Sequence, residues 1–160
     1  MQTNNNRLNG GPGHRRLGFT ILELMIAVLV VALLTAIALP MYNGAILKAK
    51  ISVVIGDLIQ IDAAIERRRG SGELPATLAE LNIAVTQDPW KNPYQYLNIE
   101  AGVNKGQVRK DRNLVPLNTD YDLYSMGPDG VSKKPLTAKD SRDDILRAGN
   151  GGFIGRAEDF

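Results

Sequence analysis

One carboxylate stands alone in an apolar run. From Phe19 to Leu39 the chain has 21 residues, and Glu23 is the only charged one. As a helix this run spans about 31 Å, roughly one hydrocarbon core. An acidic group at that depth costs a few kcal/mol unless something compensates it. Arg15 and Arg16 stand just before the run, with His14 and Arg7 further out. Basic residues there hold that end in the cytoplasm. Gly18 offers a small, flexible, cleavable boundary. A cut between Gly18 and Phe19 keeps the helix and frees an α-amine on Phe19. Glu23 then lies about one helical turn from that amine. The chemistry open to these residues is ammonium–carboxylate pairing in a low-dielectric layer, between neighbouring copies rather than within one. A secretory signal is instead cut after its apolar region. Ala32, Ala36 and Ala38 fit such a site in composition, but the apolar run continues through them.

A second set of oxygens lies near the C-terminus. Asp129 and the Asp140, Asp143, Asp144 cluster offer hard ligands, to which loop carbonyls add. Ca²⁺ takes six to eight such oxygens. The spacing is not that of an EF-hand, so the residues alone leave both a cation site and solvated aspartates open. Other chemistry is poorly supplied. There is no cysteine, and the one histidine is His14. Disulfides, thiolate sites, zinc sites and the usual triads are therefore not expected, and neither is enzymatic activity.

The elements that position these groups follow from periodicity. After Pro40 the positions Leu47, Ile51, Val54, Leu58, Ile61 and Ile65 form one helical stripe. The helix is predicted to run from Phe19 to Arg69, about 77 Å, and to stop at Gly70-Ser71-Gly72. Pro40 and Gly44 should kink or locally melt it. Arg67, Arg68 and Arg69 read as a solvated end favoured by the helix dipole. Thr77 and Glu80 have capping-box spacing. Asp88-Pro89-Trp90-Lys91-Asn92-Pro93-Tyr94 reads as a rigid turn leading into a strand, with Trp90 and Tyr96 as packing anchors. Residues 102–113 read as a hairpin loop whose Lys105, Arg109, Lys110 and Arg112 form a solvated face. Residues 120–126 alternate as a strand that ends in the turn 127–130. Ile145 and Leu146 anchor the loop that follows. Residues 1–18 have no periodicity and read as disordered. Without Arg7, Arg15 and Arg16 the net charge of +2 becomes −1, which gives no case for a nucleic-acid surface.

The segment Gly18-Phe19-Thr20-Ile21-Leu22-Glu23-Leu24-Met25-Ile26 resembles the prepilin signal of type IV pilins and type II secretion pseudopilins. Pro40 falls where their helices carry a proline. Asp88–Tyr94 resembles an element of the major pseudopilin of type II secretion, with Lys91 in place of a glycine. The resemblance implies an α+β pilin-like fold, with a long N-terminal helix packed on a small antiparallel sheet. It divides the chain into a cleaved leader (1–18), a transmembrane and fibre-core half-helix (19–39), an amphipathic half-helix (40–69) and a periplasmic headgroup (70–160). It implies cleavage between Gly18 and Phe19 by a prepilin peptidase, N-methylation of Phe19, and polymerisation in which Glu23 meets the next subunit's amine. It also implies a single-pass inner-membrane precursor, a fibre in the periplasm, and partners comprising further copies, minor pseudopilins and an assembly platform. The function implied is that of a secretion pseudopilus subunit; a type IV pilin serving adhesion, motility or DNA uptake is the alternative. Tyr124-Ser125-Met126-Gly127-Pro128-Asp129-Gly130 and the aspartates after it are similar to a calcium loop of major pseudopilins. That similarity implies structural Ca²⁺ held by Asp129, by Asp143 or Asp144 of the later pair, and by the Met126 carbonyl, with Asp140 a weaker candidate. Lys133, Lys134 and Pro135 depart from that loop's glycine-rich acidic run.

Overall fold

A computed structural model describes residues 18–104 and 106–160. The expected leader, apart from Gly18, lies outside the described residues. The chain divides into two compact units, Met1–Asn43 and Gly44–Phe160. One helix, α1 (Ile21–Gly70), carries residues of both.

Within the first unit, the Thr20 hydroxyl accepts the Glu23 N–H (3.1 Å) and the Thr20 carbonyl accepts the Leu24 N–H (3.2 Å). A threonine oxygen satisfying a first-turn donor is the ordinary device for starting a helix. The apolar side chains that follow are exposed, and the helix is long and apolar enough here to cross a membrane. The helix continues through Pro40 and Gly44. Local melting, one of the two expectations for Pro40, is therefore not found; the proline removes one ladder hydrogen bond without ending the helix.

The second unit is built on a four-stranded antiparallel sheet in the order β1 (Gln95–Asn98), β2 (Tyr121–Ser125), β3 (Ile145–Ala148), β4 (Phe153–Arg156). The helical stripe meets one face of the sheet. Val54, Leu58, Ile61 and Ile65 are fully buried against Tyr94, Tyr121, Leu123 and Ile145. The other face carries a smaller cluster of Leu117, Leu136, Leu146, Ala148 and Ala157. The centre of the sheet is thus covered on both sides, which is why β3 is buried at every position. The alternation expected of β2 places Tyr121 and Leu123 on the helix side and Tyr124 with the second cluster. Trp90 and Tyr96 pack partly buried against the first cluster, as anchors.

Three corrections follow. Thr77 does precede a 3₁₀ turn, Leu78–Leu81, but its side chain makes no cap hydrogen bond. The turn is closed by backbone instead, with the Glu80 N–H donating to the Thr77 carbonyl. Ile145 and Leu146 are buried anchors as expected, but they lie in a strand, and residues 153–156 form another that the sequence reading did not include. Arg109 is not part of a solvated face; it is 2% exposed, while Lys105 lies outside the described residues.

Candidate functional site

The N-terminal set is Gly18, Phe19 and Glu23. Phe19 is exposed, and Glu23 sits in the first turn of α1. Its backbone N–H is taken by Thr20, while its carboxylate has no hydrogen bond or ion pair among the described residues. A capping box would use both side chains, and among the described residues only the Thr20 half of it is formed.

In the second unit, the turn before β1 is organised by one buried carboxylate. Asp88 Oδ1 accepts the N–H groups of Trp90 (3.0 Å) and Asn92 (2.9 Å), and Asp88 Oδ2 accepts the Ser125 hydroxyl (2.6 Å). Asn92 then donates from Nδ2 to the Gly127 carbonyl (3.1 Å). The turn therefore clamps the start of the C-terminal loop to the end of β2. Gly127 has φ +66°, and a Cβ there would run into the Asp143 carbonyl. No side chain longer than hydrogen fits between these two segments.

Lys91 keeps this turn in the left-handed region, at φ +72°. The glycine expected there by resemblance is absent, yet the conformation persists. Left-handed geometry costs an L-residue about 1–2 kcal/mol, and glycine's extra chain entropy offsets about 0.5–1 of that. Lys91→Gly is expected to raise the melting temperature by about 2 °C, whereas the β-branched Lys91→Val lowers it by several degrees. Thermal unfolding of the two variants checks the pair, and the reverse order would contradict the strain.

The acidic residues of the C-terminal loop are not gathered around one point. Asp144 is fully buried, and its Oδ2 accepts Arg109 Nη2 and the Ser132 hydroxyl, both at 2.6 Å. Burial pushes the Asp144 carboxyl up to about 6, against the opposing pull of the Arg109 guanidinium and the Ser132 hydroxyl. Near neutral pH it is an ionised partner of Arg109. Asp140 is paired with Lys133 Nζ (2.9 Å). That hydrogen bond and charge hold its carboxyl below the usual range. Asp129 is exposed and accepts the Val131 N–H (2.8 Å), an ordinary turn contact. Asp143 is half-buried beside Gly127, and Met126 is half-buried just before it. Among the described residues no group of three or more His, Cys, Asp or Glu side chains could hold a metal ion. One acceptor, Asp144 Oδ1, is buried without a partner, but a single carboxylate oxygen falls far short of a calcium shell. The acidic side chains as placed do not gather into a shell for the expected ion.

A set of polar ties joins helix and sheet. Arg147 on β3 donates from Nε to Asp62 of α1 (2.6 Å) and from Nη1 and Nη2 to Asp120 (2.9 and 2.8 Å), over the ring of Tyr121. The Tyr121 hydroxyl donates to Asp62 (2.7 Å), and the Tyr94 hydroxyl donates to Asp57 (2.6 Å). Burial, together with these aspartates, pushes both tyrosine hydroxyls up, so they stay protonated donors. Sequence reading missed Arg109 and Arg147, because an arginine inside a short segment reads as surface.

An apolar helix started by Thr20, with Glu23 in its first turn, followed by a helix-on-sheet headgroup, defines a pilin-like protein. The family profile described as "Prokaryotic N-terminal methylation motif" matches residues 13–39. Type II secretion system core protein G of Pseudomonas aeruginosa is 30% identical over 135 residues, covering 71% of this chain and 84% of that protein. Its counterpart in Pectobacterium carotovorum is 26% identical over 144 residues, covering 76% and 82%. The fimbrial protein EcpB of Eikenella corrodens is 37% identical over 62 residues, covering 39% of each chain. No solved structure matches. The chain belongs to the family of type II secretion system core protein G.

Proposed function

We propose that the chain is the structural subunit of a type II secretion pseudopilus, which polymerises through its N-terminal helix to drive export of folded proteins. One observation carries this reading. Similarity to the secretion core proteins covers 76% and 71% of the chain, more than the leader and long helix can supply, whereas the similarity to EcpB spans 39% of it. The precursor is held in the inner membrane by residues 19–39, with its leader in the cytoplasm. A prepilin peptidase cuts between Gly18 and Phe19, and Phe19 is N-methylated. Subunits then associate by burial of the apolar half-helix, with Glu23 pairing to a neighbour's α-amine and setting register. Minor pseudopilins and an inner-membrane platform are the partners this role requires, and the fibre grows in the periplasm. No catalytic step is assigned to it.

The test is a strain lacking the gene, scored together for secreted enzymes in the medium and for fibres on the surface. Exoproteins trapped in the periplasm, with surface fibres unchanged, are expected. Lost fibres or twitching with normal secretion would overturn this reading in favour of a type IV pilin. Complementation with the intact gene should restore secretion.

A further inference from the structure

We infer that the C-terminal loop of the headgroup is closed by the Arg109 guanidinium, in the role that resemblance would give to a calcium ion. Arg109 comes from the connection between β1 and β2, far in sequence from the loop it holds. Its Nη2 donates to Asp144 and its Nη1 to the Ser132 hydroxyl (2.7 Å), so one planar fork grips both limbs of the loop. Ser132 in turn donates to Asp144 Oδ2, closing a three-membered ring of contacts. The guanidinium lies over the Tyr124 ring, 4.1 Å from its centroid, and the Arg109 backbone N–H donates to Asp122 (2.8 Å). Three segments thus meet on one side chain: the β1–β2 connection, strand β2 and the C-terminal loop.

This geometry opposes a calcium ion by charge as well as by the scatter of its acidic side chains. A guanidinium does not lose its proton in proteins, and its donors are held in a rigid plane. Arg109 and Asp144 are both buried, so their attraction is little screened. A divalent cation drawn to Asp144 would meet a fixed positive charge that cannot leave without unstacking from Tyr124. Lys133 adds a second positive charge by pairing with Asp140, the weaker candidate ligand. The loop is tied at its far end as well, where the Ala157 N–H donates to the Asp144 carbonyl (2.8 Å).

The test is thermal unfolding of the full chain in detergent micelles, with chelator and with millimolar Ca²⁺. A calcium site filled a hundredfold above its Kd would raise the melting temperature by about 10 °C. A change of less than about 1 °C is expected here, within the reach of ordinary salt effects. Arg109→Gln should lower the melting temperature by about 10 °C or more in both conditions, because it leaves a buried carboxylate unpaired. Arg109→Gln/Asp144→Asn removes both charges and should recover at least half of that loss. If the single variant does not fold, a folded double variant serves as the same readout. A saturable calcium shift of several degrees in the unmodified chain overturns the inference. So does an Arg109→Gln variant as stable as the parent, or a double variant no better than the single.

Discussion

Glu23→Ala is expected to leave the protein inserted in the membrane and cleaved, yet to yield no fibres. Insertion depends on the apolar run, which the change makes more apolar, and the cut lies five residues upstream. Assembly is different. In this chain the Glu23 carboxylate has no hydrogen bond or ion pair among the described residues. Under the proposed role its partner is the α-amine freed on a neighbour's Phe19. Breaking a buried pair from one side costs about 3–5 kcal/mol, because the other charge is left stranded. Applied at each subunit contact, that is a loss of more than about 100-fold per step. Intact mass should still show loss of residues 1–18 and gain of one methyl group, and fibre yield should fall to background. Normal fibres from this variant would sink the pairing mechanism and reduce Glu23 to a helix-start residue beside Thr20.

The second large effect is in the headgroup. Arg147→Met should destabilise it by about 3–5 kcal/mol, lowering the melting temperature by about 10–20 °C. The arginine is 3% exposed and balances two carboxylates from different parts of the chain, Asp62 on α1 and Asp120 before β2. Methionine fills the space but leaves both acids near the core with no cation. The same contacts make a statement about pH. Burial alone would raise the Asp120 carboxyl; hydrogen bonds from Arg147 and from the Tyr121 N–H outweigh it and hold the group below its ordinary value. A carboxyl held low in the folded state contributes stability above the unfolded-state value and loses it as pH falls through the folded one. The full effect is therefore present above about pH 4 and fades below it. Asp120→Asn should cost stability at neutral pH and progressively less toward about pH 2. An equal loss at both pH values would argue that packing, rather than charge, holds this site.

What the sequence made legible is what repeats along it. The stripe from Val54 to Ile65 predicts the buried face of α1 because a helix returns to the same face every three or four residues, whatever it packs against. Strand β2 alternates over enough residues to be read. Strands β3 and β4 were missed because each has four residues, and β3 has an arginine among its buried positions. Its burial depends on Asp62, 85 residues earlier, a relation that no local pattern carries. The C-terminal loop shows the same limit. Its aspartates are plain in the composition, but composition cannot say that the charge opposite Asp144 comes from Arg109, 35 residues away. The Asp88 turn lay between these cases. Its prolines announced a rigid turn, while the carboxylate that organises it through Trp90, Asn92 and Ser125 was visible only once folded.

The strand order has a consequence for how the headgroup forms in time. Each strand lies beside its neighbour in sequence, so the sheet can zip up through successive hairpins, each closing a modest loop. The seating of α1 on β3 is the exception, since it joins residues 85 apart. Loop closure of that length must precede any return from the Arg147 and Ile145 contacts. Docking of α1 on β3 is therefore the contact with the largest closure cost in the headgroup. Until it happens, Val54, Leu58, Ile61 and Ile65 keep their apolar face uncovered by the sheet.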